Sequence, residues 1–198
     1  LISGAKMSTK FSLIETFSDK ADHLILGGGL LNTYLQCKGF EVGVSLVERD
    51  LSQEVLSFFE SESAKKIIMP TDLVCSADAS LDYPKTKSIS MVQSNDKILD
   101  IGTKSIERYT EIIKKSSTVF WNGPLGYVEK KPYDKGTESI INVLADANCY
   151  SVIGGGDTVS VIENMGVQDK ISYISTGGGA LLKYIEGKDM YVIKKLGL

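Results

Sequence analysis

Ser151-Val152-Ile153-Gly154-Gly155-Gly156-Asp157-Thr158 passes from an apolar run through three glycines into a helical pattern. The event happens twice more, where Leu24-Ile25-Leu26 meets Gly27-Gly28-Gly29 and where Tyr173-Ile174-Ser175 leads to Gly177-Gly178-Gly179. Glycine at such a junction lets the backbone turn tightly and lets a ligand approach the main chain. The helix that follows aims its free N–H groups and positive dipole end into the turn. Repeated at successive strand-to-helix junctions, the pattern describes a phosphate-binding surface.

Between these turns the chain alternates short apolar runs with helical periodicity. Leu1-Ile2 ends a strand, and Phe11, Ile14 and Phe17 mark a helix over about Ser8 to Ser18. Leu24–Leu26 is a strand and a helix follows from Gly29 to about Lys38, with another carried by Leu51, Val55, Phe58 and Phe59. Lys66–Met69 is the next strand, stopped by Pro70. Residues 71–97 break the rhythm: Thr71–Cys75 and Thr86–Val92 read as a hairpin-like insertion. Helices over Lys104–Lys115, around Ile140–Ala147, to about Met165 and over Gly178–Ile185 then alternate with strands Thr118–Trp121, Tyr150–Ile153 and Ile171–Ile174. The pattern predicts an α/β fold, a three-layer αβα sandwich with a mostly parallel, Rossmann-like sheet of about six strands plus a small β insertion. Ligands of such sheets gather at the carboxyl ends of the strands, where all three triplets fall.

A chain of 198 residues can bury one sizeable core, and no Pro/Ser-rich linker divides it, so one domain over 1–198 is expected. The net charge of −3 comes without a basic stripe, which argues against a nucleic-acid partner. Phosphate must be held by backbone amides and a few placed lysines. No apolar run reaches membrane-spanning length and no signal peptide is evident, so a cytoplasmic monomer is expected. Cys37, Cys75 and Cys149 form no CxxC pair and read as buried, reduced thiols. His23 is the single histidine, which excludes a histidine-rich metal site.

Two familiar phosphate fingerprints are absent. Gly102-Thr103-Lys104-Ser105 resembles only the tail of a P-loop, and Val159 and Leu182 stand where GxGxxG needs its last glycine. Asp157, at a helix start, is either a dipole partner or a carboxylate for Mg²⁺, and Thr158 either donates to a phosphate or satisfies the helix end. Lys6 and Lys10, in Gly4-Ala5-Lys6-Met7-Ser8-Thr9-Lys10, are either solvated side chains or cations for a phosphoryl group in transit. Trp121-Asn122-Gly123-Pro124-Leu125-Gly126-Tyr127-Val128-Glu129 forces a rigid loop. Such a loop suits an adenine walled by Pro124, Gly126 and Tyr127, with Glu129 accepting from ribose hydroxyls.

In order and spacing, these five motifs resemble the carboxyl-terminal, nucleotide-binding domain of the phosphoglycerate kinase family. The resemblance covers essentially the whole chain. It implies reversible phosphoryl transfer between ATP and 3-phosphoglycerate in glycolysis, with Mg²⁺ as cofactor. It assigns Lys6, Gly178 and Gly179 to the transferring group. Gly4, Ala5, Lys10, Asn122, Gly155, Gly156 and Thr158 fall on the nucleotide phosphates, and Asp157 on Mg²⁺. Gly28, Leu46, Leu99, Pro124, Gly126 and Tyr127 fall on adenine, with Glu129 on ribose. Departures from the family pattern are Ser3 before Gly-Ala-Lys, Ile98, Thr103, Tyr127-Val128 and Tyr173.

Family members carry a further domain that binds phosphoglycerate. The chain is therefore expected to be the nucleotide half of a longer enzyme, inactive alone. A non-catalytic nucleotide-binding module shares the triplets and pocket but does not need Lys6. An NAD-dependent dehydrogenase shares the alternating fold but lacks its GxGxxG here.

Overall fold

The computed structural model describes residues 1–78 and 80–196, so all of the expected domain 1–198 except residues 79, 197 and 198. The elements run β1 (Ile2–Gly4), α1 (Met7–Lys20), β2 (Leu26–Gly27), α2 (Gly28–Cys37) and α3 (Gln53–Glu60). Next come β3 (Asp72–Ser76), β4 (Lys85–Ser88), β5 (Lys97–Ile101), α4 (Thr103–Lys115) and β6 (Thr118–Asn122). The last are α5 (Lys135–Asp146), β7 (Tyr150–Gly154), α6 (Gly156–Met165), β8 (Tyr173–Ser175), α7 (Gly179–Ile185) and α8 (Tyr191–Lys195).

Five strands form a parallel sheet in the order β2-β1-β6-β7-β8. Helices flank it: α4 packs on α5 and α5 on α6, while α1 packs on α2 and α7. A parallel sheet covered on both faces needs apolar residues in succession rather than alternation. Leu24-Ile25-Leu26 and Val119-Phe120-Trp121 supply such runs, all buried except Phe120, which packs against the core half-buried. Trp121 is 0% exposed and its indole Nε1–H donates to the Gly123 carbonyl at 2.6 Å.

The expected strand Lys66–Met69 shrinks to one parallel bridge, Leu24 with Ile67. Leu24 N–H donates to Lys66 O at 2.8 Å and Ile68 N–H to Leu24 O at 2.7 Å. The 3₁₀ turn Ser63–Lys66 crowds it from one side and Pro70, without an N–H, closes it from the other. Leu51 likewise lies ahead of α3, whose N-cap is Ser52 accepting from Val55 N–H at 3.4 Å. Among the cysteines only Cys75 is buried; Cys37 is exposed, because α2 turns its last residues to solvent.

The insertion is larger than the sequence pattern implies. A second sheet, β4-β3-β5, is antiparallel, so Lys97–Ile101 joins the hairpin as a third strand. Leu73, Cys75, Leu99 and Ile101 tie this sheet to the interior. Its outer strand Lys85-Thr86-Lys87-Ser88 is polar and mostly exposed, which blunts a free edge. The hairpin's tip reaches the Tyr127–Asp134 segment: Lys130 pairs with Asp82 at 2.8 Å and Tyr133 OH donates to Leu81 O at 2.6 Å.

Candidate functional site

A cleft of about 420 Å³ opens at the carboxyl ends of β1 and β2, between them and the second sheet. It exists because two strand-to-helix turns come within contact of each other. A Cβ on Gly29 would sit 2.2 Å from the Ala5 carbonyl oxygen, so no other residue lets α2 start so close to β1. Gly4 and Gly28 are bridged in parallel there. The other wall is the loop after β6, fastened by Tyr127 N–H to Leu99 O at 2.7 Å and Leu125 N–H to Thr137 Oγ1 at 3.0 Å.

Ten of the residues singled out in the sequence line this cleft: Gly4, Ala5, Gly28, Leu46, Leu99, Pro124, Gly126, Tyr127, Glu129 and Asp157. Lys10 and Asn122 stand beside it. Lys10 Nζ donates to Asn122 Oδ1 across the carboxyl ends of β1 and β6, and burial lowers the lysine's pKa against an opposing pull from Glu186. Gly155 closes on the same group, since a Cβ there would lie 3.1 Å from Asn122 Nδ2. Its φ of +100° is a conformation that glycine adopts freely. Gly156 and Asp157 are exposed at the start of α6, whereas Thr158 is fully buried and its Oγ1 finds no partner among the described residues.

Two groups of candidate residues lie outside the cleft wall. Lys6 is exposed at the N-cap of α1 and outside the cleft wall. Gly178 and Gly179 are exposed with no heavy atom near their virtual Cβ positions, whereas Gly177 meets Ser175 Oγ at 3.3 Å. Its neighbour Leu181 packs on Gly154, which places α7 beside the second triplet only.

The structure also adds residues that the sequence reading passed over. Ser3, noted as a departure, donates through Oγ to Pro124 O and so ties β1 to the loop after β6. Glu48 caps α1 from across the chain, accepting from Ser8 N–H at 2.8 Å and from Ser8 Oγ. Burial raises the Glu48 pKa, but those hydrogen bonds and nearby Lys6 outweigh it and hold the group below its ordinary value. Asp100 lies at the back of the cleft, 2% exposed, accepting from Ile101 N–H at 2.8 Å and Gly136 N–H at 2.7 Å. Burial pushes its pKa up to about 7, the two amides pull it back, and Asp134 adds to the rise. None of these long-range partners leaves a mark in local sequence.

A larger hollow, about 830 Å³, lies against the first residues of β1 and β6 at the opposite end of the sheet. It touches none of the motif residues, so the smaller cleft is the candidate site.

A family model described as phosphoglycerate kinase matches residues 1–188. The chain belongs to the phosphoglycerate kinase family. It superimposes on the structure of phosphoglycerate kinase from Coxiella burnetii with a TM-score of 0.92 and 36% identity, over 99% of this chain and 51% of that one. The corresponding figures for the enzyme from Pyrococcus horikoshii OT3 are 0.79 and 26%, over 98% of this chain and 50% of that one. The chain thus spans about half the length of these solved kinases.

A nucleotide-bound Mg²⁺ fits the donors present. Among the described residues no cluster of three or more His, Cys, Asp or Glu side chains could cage a metal. Asp157 offers one exposed carboxylate on the cleft wall. Mg²⁺ characteristically takes one or two carboxylates and completes its shell with phosphate oxygens and water. Among the described residues no helix is long and apolar enough to cross a membrane.

Proposed function

We propose that this chain is the nucleotide-binding, carboxyl-terminal domain of a phosphoglycerate kinase, contributing the Mg-ADP/ATP site for reversible glycolytic phosphoryl transfer with 3-phosphoglycerate. One observation carries the reading: Gly28, Leu46, Leu99, Tyr127, Glu129 and Asp157, drawn from five separate stretches of chain, line a single cleft. Adenine lies among Gly28, Leu46, Leu99, Gly126 and Tyr127, walled by Pro124, and the ribose hydroxyls donate to Glu129. The phosphates run past Gly4, Ala5, Lys10 and Asn122 to the start of α6. There Gly155 and Gly156 offer backbone N–H groups and the unpartnered Thr158 hydroxyl gains a partner.

Phosphoryl transfer asks little covalent chemistry of a protein and much positioning and charge stabilisation. When bound, Mg²⁺ on Asp157 supplies neutralisation of the phosphate oxygens. Lys10, held by Asn122, is a fixed cation, whereas the exposed Lys6 has the reach to follow the group in transit. Gly178 and Gly179 present backbone N–H groups on the side open to a second substrate. Closure against a phosphoglycerate-binding partner domain excludes water, the competing acceptor. The chain alone is therefore expected to bind Mg-ADP yet give no turnover in a coupled assay with ATP and 3-phosphoglycerate. Rates of an ordinary kinase would contradict that division of labour.

Calorimetry tests the site itself. Mg²⁺ is expected to strengthen ADP binding to the wild type, and Asp157→Ala to erase about tenfold of that gain, or 1.4 kcal/mol. A variant that keeps the full Mg²⁺ dependence would remove Asp157 from the metal's shell. A chain that binds no ADP would end the reading.

A further inference from the structure

We propose that Asn32 sets the base preference of the cleft, its Oδ1 accepting a hydrogen bond from the exocyclic amino group of adenine. The inference rests on the nucleotide reading above and adds a residue to it. Asn32 lies on the cleft wall in α2 and is 3% exposed. Around it in that helix stand Leu30, Leu31, Tyr34 and Leu35, all buried and apolar. An amide among such neighbours helps neither the helix nor its packing. Its polar neighbour Thr33 is fully used: it donates to Gly29 O at 2.7 Å and accepts from Glu48 N–H at 3.0 Å.

Asn32 is only half used. Its Nδ2 donates to the Leu46 carbonyl at 3.2 Å. That contact fixes the orientation of the amide, because a flip would press two acceptor oxygens together. It leaves Oδ1 buried with no donor among the described residues. Native interiors rarely leave such an atom unmatched, and each exception calls for a partner. Anchored in this way, Asn32 stays on the cleft wall with Oδ1 screened from solvent, and a base seated beside Leu46 brings the donor it lacks.

The cleft's other polar side chains serve elsewhere or face water: Ser3 Oγ donates to Pro124 O, and Tyr127 is exposed at the rim. Both oxygens of Asp100 are occupied by Ile101 and Gly136 amides. Glu129 and Asp157 belong to the ribose and phosphate side in the reading above. Lys97, also on the wall, is a donor and pulls the opposite way, toward a base with a 6-oxo group. Adenine presents an amino donor at the purine 6-position and hypoxanthine a carbonyl acceptor there. Asn32 therefore favours the first, and an acceptor facing an acceptor penalises the second.

The test titrates the whole chain, with Mg²⁺, against ADP, purine riboside diphosphate and IDP. ADP is expected to bind about tenfold more tightly than IDP, with purine riboside diphosphate, which loses the donor without gaining an opposed acceptor, between the two. Asn32→Leu, close in volume and lacking both polar atoms, is expected to shrink the ADP/IDP ratio to about twofold or less while ADP still binds. The wild-type series needs no variant, so it decides the matter even if the leucine protein fails to fold. Equal affinities in the wild type, or a ratio untouched by Asn32→Leu, would overturn the assignment. A preference for IDP would also overturn it and hand the role to Lys97. Failure to bind any of the three nucleotides would instead strike the nucleotide reading beneath it.

Discussion

Trp121→Ala is expected to cost about 3–5 kcal/mol of unfolding free energy, the cost usual for emptying a large aromatic site in a packed core. Trp121 is the largest side chain fully enclosed in the core. It stands on β6, the middle of the five strands, and β6 is paired with β7 along its whole length. Its indole N–H also ties down the Gly123 carbonyl just after the strand. Trp121→Phe keeps most of the volume and loses that bond, and about 1–2 kcal/mol is expected for it. Urea unfolding followed by far-UV circular dichroism checks both, since the chain has a single tryptophan and the variants lose its fluorescence. A loss below about 1 kcal/mol for the alanine variant would mean that the centre of the sheet is not close-packed.

The second large effect is a pH dependence centred on Asp100. Its pKa rises from 3.8 in the unfolded chain to about 7 in the fold, principally through burial. Between those values the native state holds the proton and the unfolded state does not. The group's contribution is thus fully present below the lower value and is lost as the pH climbs through the upper one. Asp100→Asn keeps a neutral acceptor but turns an N–H₂ toward one of the two amides that the carboxyl serves, a roughly constant loss. Relative to wild type, the asparagine protein should therefore gain about 2–4 kcal/mol as the pH is raised from 4 to 8. Other titrating groups occur in both proteins and cancel in the difference. Denaturant midpoints across that range measure it, and a flat difference curve would mean the carboxyl is as well solvated as in the unfolded chain.

Much of this site is written in local sequence because its chemistry needs particular residue types. Gly28 and Gly29 could be read as a close-approach turn, and the structure sets them against Gly4 and Ala5. The run Trp121–Glu129 could be read as a shaped loop, and Pro124, Gly126, Tyr127 and Glu129 do share one cleft. What could not be read depends on partners remote in the chain. Lys97–Ile101 is a strand only because β3 lies alongside it, and its five residues lack the alternation that marks a half-exposed strand. Asn32 hides inside an apolar helical face. Glu48 caps a helix that begins forty residues earlier in the sequence, so α1 looks uncapped from its own residues. Gly178 and Gly179 share the composition of Gly28 and Gly29 but not their surroundings, and composition alone cannot tell a crowded glycine from a free one.

The hairpin tip that leans on Lys130 and Tyr133 turns an appendage of the second sheet into a buttress for the cleft rim at Tyr127 and Glu129. Chain segments some fifty positions apart thereby share their freedom: whatever stills one leaves less entropy for the other to surrender. On the nucleotide reading proposed above, grip on a nucleoside becomes partly a property of a surface ribbon outside the cleft lining.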